Sequence, residues 1–235
     1  MKKMVFGLFA FVMLSAQAQN ADEIIQKYAN AMGGLENFNK LKTVKMGGTV
    51  TTQGMDLPIT IQIINGKAMR SDVEVMGQTV TSAYKDGKGW KINPFAGAAS
   101  ATDATATELN DMKNQSFLAS QLMDYKARNN KVELKGQEDV NGVKAYKIQL
   151  TDNNNKETTY YIDPTTFLAV KVVGKRDVMG QDTEIETYLS DAKEFGGVKF
   201  NTSILQKIGG QTFQEIHLNK FEVNVPVDEK IFDKQ

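Results

Sequence analysis

The stretch Thr43-Val44-Lys45-Met46-Gly47-Gly48-Thr49-Val50-Thr51-Thr52-Gln53-Gly54-Met55-Asp56-Leu57-Pro58-Ile59-Thr60-Ile61-Gln62-Ile63-Ile64-Asn65-Gly66 decides the fold. Its apolar residues recur with a period near two and many are β-branched, the pattern of strands that bury one face. Gln53-Gly54 and Asn65-Gly66 break it with residues suited to tight hairpins. The same grammar continues through Met69 to Val75 and Gln78 to Tyr84, with turns at Met76-Gly77 and Asp86-Gly87. Connections this short cannot make parallel crossovers, so an antiparallel meander is expected.

After Arg128-Asn129-Asn130 the rhythm resumes: Lys131 to Gln137, Lys144 to Thr151, Glu157 to Asp163, Ala169 to Asp177, Glu184 to Ser190, Val198 to Lys207 and Gln211 to Val223. Asn141-Gly142, Asn153-Asn154-Asn155, Asp163-Pro164, Met179-Gly180, Gly196-Gly197 and Gly209-Gly210 separate these strands. Two helical segments interrupt the pattern. Asn20 can cap the first, with Glu23 in capping-box register, Ile24, Ile25, Tyr28, Ala31 and Met32 at helical spacing, and Gly33-Gly34 as the stop. Leu35, Phe38 and Leu41 fit one further turn. Thr105 and Glu108 open the second, whose buried stripe is Leu109, Met112, Ala119, Leu122 and Met123, widened by Phe117 and Leu118. Between them, Asn93 to Thr107 is rich in small residues and reads as a mobile loop.

The expected fold is mainly β with two or three helices: a strongly curved antiparallel sheet, an incomplete β-barrel of about 11 strands, covered by helices. A sheet bent around amphipathic helices leaves an apolar concavity, where small ligands tend to bind.

The N-terminus has the form of an export signal. Met1-Lys2-Lys3 precedes the apolar run from Met4 to Leu14, and Ala16-Gln17-Ala18 supplies small residues for cleavage, so residues 1–18 are expected to be removed and 19–235 to form one domain. The core of that run is shorter than the roughly 20 residues of a membrane span. This places the mature chain in the periplasm. Cysteine is absent, which excludes disulfides, thiolate metal sites, a thiol nucleophile and a lipid-bearing cysteine. The 28 basic and 28 acidic residues balance, and loss of Lys2 and Lys3 leaves 26 against 28, a net charge of −2 with no nucleic-acid footprint.

Catalytic signatures are missing. His217 is the only histidine and sits in a strand pattern, so it reads as structural. Asp152-Asn153-Asn154-Asn155-Lys156-Glu157 lacks the glycine of a calcium loop and reads as a hairpin tip. No serine occupies a nucleophile elbow, and Glu184 and Glu186 read as a solvated strand face. The expectation is no enzyme, no metal and no cofactor. Methionine, by contrast, is abundant: Met32, Met46, Met55, Met69, Met76, Met112, Met123 and Met179 follow the signal, and flexible thioethers suit either ordinary core filling or an adaptable acyl pocket.

The order of elements, with two short segments, resembles the LolA/LolB-like carriers of lipoproteins. Asp86-Gly87-Lys88-Gly89-Trp90-Lys91-Ile92-Asn93-Pro94-Phe95 is similar to a strand of that family, and Tyr161-Ile162-Asp163-Pro164-Thr165-Thr166-Phe167-Leu168-Ala169-Val170-Lys171 to its late hairpin. The head, Tyr28 to Gly34 and Leu41 to Val44, resembles outer-membrane lipoprotein-sorting proteins of Bacteroidetes. The resemblance implies a half-open barrel with a helical lid over an acyl-chain cavity, passing lipoproteins between membrane-bound donor and acceptor proteins. The family's switch arginine precedes a proline at a strand end where this chain reads Asn65-Gly66-Lys67-Ala68-Met69-Arg70, so its role is not carried over to Lys67 or Arg70.

The reading from residues and resemblance together is a periplasmic binding protein for lipoprotein acyl chains, a phospholipid or another lipid. The expected wall is Met46, Ile61, Ile63, Met69, Val73, Trp90, Ile92, Phe95, Leu118 and Leu122, with a charge at Leu122 blocking uptake and leaving the sheet folded. Sequestering about ten methylenes at ~0.8 kcal/mol each gives ~8 kcal/mol, at best about micromolar binding. The alternative is a non-catalytic envelope interaction or sensor module on the same fold.

Overall fold

The alternating pattern becomes one continuous antiparallel sheet. The computed structural model describes residues 21–178 and 181–234. The signal segment 1–18, the Asn20 cap and the Met179-Gly180 turn lie outside the described residues. The strands are β1 (Thr43–Thr52), β2 (Met55–Ile64), β3 (Ala68–Val75), β4 (Gln78–Lys85), β5 (Lys88–Asn93), β6 (Ala98–Asp103), β7 (Lys131–Val140), β8 (Val143–Thr151), β9 (Glu157–Ile162), β10 (Ala169–Val178), β11 (Gln181–Phe195), β12 (Val198–Ile208) and β13 (Gln211–Val223). Three helices join them: α1 over residues 21–31, α2 (Leu35–Lys40) and α3 (Ala106–Gln115).

The spatial order is β6-β5-β4-β3-β2-β1-β13-β12-β11-β10-β9-β8-β7. Every neighbouring pair is sequential except β1 with β13, which join the first and last strands in the middle. The edges β6 and β7 do not pair. The segment between them, α3 and the turns through residue 129, bridges the open side of the half-barrel.

Two sequence expectations need correction here. The small-residue segment after Asn93 is not a mobile loop: Pro94–Ala96 form a 3-10 turn and β6 follows, paired on one side only with β5. With β5 this raises the strand count from about 11 to 13. The second helix also stops early, at Gln115, and Leu118 to Met123 continue as turns, although Ala119, Leu122 and Met123 are buried as a helical stripe would bury them. The Thr105–Glu108 capping box is present in both directions.

The hairpins follow local chemistry. At Asn141-Gly142 both residues adopt positive φ, 52° and 86°, the pair of left-handed conformations that a two-residue hairpin matched to strand twist demands. Gly48 answers a different need. It sits at a bulge in β1, where a Cβ would stand 2.0 Å from the His217 carbonyl oxygen, so only glycine lets β1 and β13 approach this closely.

One core fills the concave side. From α1 and the turn after it the core takes Ile24, Ile25, Tyr28 and Met32, from α2 Phe38, and from the bridging segment Met112, Leu122 and Met123. The Met32 carbonyl accepts the Lys199 N–H at 2.8 Å, pinning α1 to β12. Phe195 stacks on Phe221 with centroids 4.1 Å apart, and Phe200 packs edge-on to Phe38, sealing the end of the half-barrel where β13 finishes.

Candidate functional site

The register of β1, β2 and β3 assigns each side chain a face. Val44, Met46 and Val50 of β1 stand opposite Ile63, Ile61 and Leu57 of β2, and Ile59, Ile61 and Ile63 stand opposite Val73, Ser71 and Met69 of β3. These residues point into the concavity, where α1, α2 and α3 also pack. On the other half, Ile185, Thr187 and Leu189 of β11, Ile204 and Gln206 of β12, and Gln214 and Ile216 of β13 share that face.

Depth varies along this wall. Met46, Ile63 and Met69 are buried against the helices, whereas Ile61, Val73, Leu189 and Ile216 pack on the same core yet stay half-exposed. The helices thus fill part of the concavity and leave an open apolar wall beyond them. Leu118 is half-buried, its N–H donating to Asn65 Oδ1 at 3.1 Å. Leu122 is 0% exposed, enclosed in the core rather than facing a cavity, so a charge there would unfold the protein instead of merely blocking a ligand.

Trp90, Ile92 and Phe95 stand elsewhere. Trp90 pairs with Ala83, which in turn pairs with Arg70, and the pleat turns all three to the convex face. Ile92 shares that face, and Phe95 lies in the 3-10 turn, 52% exposed. The convex side of Trp90 is covered by the chain's last residues. Its Nε1 donates to the Phe232 carbonyl at 2.9 Å, Arg70 donates to the Ile231 carbonyl at 2.7 Å, and Lys67 donates to Glu229 at 2.8 Å. Lys67 and Arg70 therefore fasten the C-terminal segment.

The concave face also carries a polar pocket of about 200 Å³ between α3 and β9 to β11. Asp111, Asn114 and Gln115 of α3 line one side, and Thr158, Tyr160, Val172, Arg176, Ile185 and Thr187 the other. Lys156 pairs with Asp111 at 2.7 Å, and Asp152 accepts backbone N–H groups of Asn154 and Lys156. Burial pushes the Tyr160 phenol well above its ordinary value, so it remains a neutral donor. Periodicity missed Tyr160, Leu189, Ile204 and Ile216. Their strands were legible, but which face closes over a concavity depends on sheet curvature.

His217 lies on the convex face, exposed, with Nε2 2.9 Å from Glu215. Among the described residues no group of three or more His, Asp or Glu is placed to hold a metal ion. Met32, Met46, Met69, Met112 and Met123 are all buried in the core, whereas Met76, at the β3–β4 turn, is 82% exposed.

These features define a class: an unclosed antiparallel half-barrel with its helices inside the concavity and an apolar wall left partly open. Solved structures share it. A LolA superfamily protein from Nitrosomonas europaea matches with a TM-score of 0.59 and 12% identity over 93% of this chain and 98% of that one. A protein domain from Vibrio parahaemolyticus, assigned to outer membrane lipoprotein sorting, matches with a TM-score of 0.59 and 11% identity over 92% and 97%. A DUF1329 family protein from Desulfovibrio piger matches with a TM-score of 0.58 and 12% identity over 92% and 97%. No family model matches the chain, nor does any curated protein at a significant level of similarity. The chain has the LolA-like fold.

Proposed function

We propose that this protein is a carrier of the bacterial envelope that holds lipoprotein acyl chains, or the chains of another lipid, against the open part of the concave wall. The observation that carries the reading is the half-exposed set Ile61, Val73, Leu189 and Ile216, apolar side chains continuous with the core yet not covered by it. Apolar surface left open inside a concavity gains by burying an acyl chain, at about 25 cal/mol per Å². The lipoprotein-sorting assignment of a protein with the same fold and the signal-like N-terminus support a periplasmic setting.

A charge at a half-exposed wall position tests the reading without emptying the core. Val73→Asp is expected to weaken binding of a fluorescent acyl probe at least tenfold, with the circular dichroism spectrum unchanged. Native mass spectrometry of the protein purified from an expressing periplasm should show a bound lipid mass. A clean apo mass together with no uptake from acyl donors would sink the proposal. One observation favours a second reading, a non-catalytic interaction or sensor module: α1 and the bridging segment already fill much of the concavity.

A further inference from the structure

The charged side chains on the concave face are mostly spoken for. Lys91 is bound by Glu108, Lys156 by Asp111, and within the bridging segment Arg128 by Asp124. Each pair holds part of the bridge in place. Arg176 breaks the pattern. It lies on the same face of β10 as Val172 and Gly174, two positions beyond the Gly174–Thr158 pairing, and it lines the pocket beneath α3. Among the described residues no carboxylate pairs with it. Of the acids that line the pocket itself, Asp111 pairs with Lys156 and Asp152 accepts from its own turn, while Glu157, Asp182 and Glu184 line the adjoining groove.

A second group points the same way. The Tyr160 side chain is almost wholly buried among the core residues and lines this pocket together with Arg176. Polar groups of Asn114, Gln115, Ser120 and Gln121 face the same space. The pocket opens through Lys156, Gly174 and Lys175 into a larger outer groove of about 880 Å³, and on its inner side it borders Ile185, the first apolar residue of the β11 row that continues to Leu189.

We propose that this pocket receives the anionic headgroup, a phosphate or carboxylate, of an amphiphile whose chain lies along the concave wall, with Arg176 and the Tyr160 hydroxyl as its direct contacts. The proposal rests on the acyl-binding reading above and narrows its ligand to lipids that carry negative charge at the polar end. A guanidinium offers a planar fork of donors to such a group, and a neutral phenol adds one hydrogen bond.

Binding of dodecyl phosphate, dodecanol and inorganic phosphate to the mature protein and to Arg176→Gln separates the cases by calorimetry. The expected result is dodecyl phosphate at least tenfold tighter than dodecanol, with that advantage abolished in Arg176→Gln while dodecanol binding is unchanged. Tyr160→Phe, which keeps the ring in the core, is expected to weaken dodecyl phosphate about threefold to tenfold and to leave dodecanol alone. Equal affinities for the two dodecyl ligands would overturn the headgroup site and leave the acyl reading standing. Inorganic phosphate binding as tightly as dodecyl phosphate would show a small-anion site and overturn the amphiphile. Failure of both dodecyl ligands would remove the acyl reading and this proposal with it.

Discussion

At the scale of single residues, the decisive variable is which face of the pleat a side chain occupies. Leu122 has no exposed surface, and Leu122→Ala leaves a cavity in a continuous core, so a loss of about 2–5 kcal/mol is expected in urea unfolding. A loss below ~1 kcal/mol would show that the bridge is loosely packed. Trp90 teaches the complementary lesson. The two-residue turn at Asp86-Gly87 pairs Lys85 with Lys88, and counting on from there sets Trp90 opposite Ala83, outside the concavity. That register was legible. What hid the answer was composition: a large aromatic residue reads as interior, and the cover that buries Trp90 on the convex side comes from Phe232, far along the chain.

Among elements, the hairpins were the most legible because their causes are local. Asn-Gly, Asp-Gly and Gly-Gly pairs that fall between alternating runs supply the turns, whereas Gly47-Gly48 within the run of β1 makes a bulge instead. β6 was not, since an edge strand of alanine, serine and threonine has no apolar alternation and borrows its structure from β5. The bridging helix combines both kinds. Its capping box is written in Thr105 and Glu108, but one of its holds on the sheet is the pair that Glu108 makes with Lys91 of β5. Burial alone would raise the Glu108 carboxyl; hydrogen bonds from Lys91 and Thr105 outweigh it and hold the group below the usual carboxylate range. A carboxyl lowered by folding contributes stability that is complete above its unfolded value, about 4.3, and is lost as pH falls through the folded value. Acid should therefore loosen α3, and in Glu108→Gln the melting temperature should fall less steeply between about pH 6 and pH 3 than in the parent. Parallel melting curves for the two proteins would show that the pair contributes nothing to the bridge.

The outer surface of the later strands shows another device at this scale. Lys147, Tyr161, Lys171, Tyr188 and Lys207 alternate across β8 to β12, with each ammonium 5.1–5.7 Å from a ring centroid. Glu138 and Glu186 complete the row, accepting from Lys147 and from Tyr188 and Lys171. Cationic stems laid over tyrosine rings cover the convex face of a sheet that no helix protects.

For the molecule as a whole, the last residues act as a strap. After β13 the chain returns across the start of β1, where Asn224 bonds Lys42 and Thr43, and ends against β3 to β5. Phe232 is 1% exposed, and burying a phenylalanine side chain is worth about 1.5–3 kcal/mol, before the hydrogen bonds of Trp90 and Arg70 are counted. A stop codon after Asp228 should lower unfolding stability by at least about 2 kcal/mol and speed hydrogen exchange in β3 to β5 more than in β8 to β10. Uniform acceleration across the sheet would mean that the strap holds the entire barrel rather than one side of it.

The pairing of β1 with β13 has a temporal meaning as well. Whatever emerges N-terminus first, from a ribosome or through a membrane pore, presents β1 with one side of its ladder open until the chain has delivered its final strand and the strap behind it. Pairings so remote in sequence are slow to form, and they cannot begin early. The sheet is thus completed only when β13 reaches β1, and until then the two halves of the meander can wait side by side without being joined.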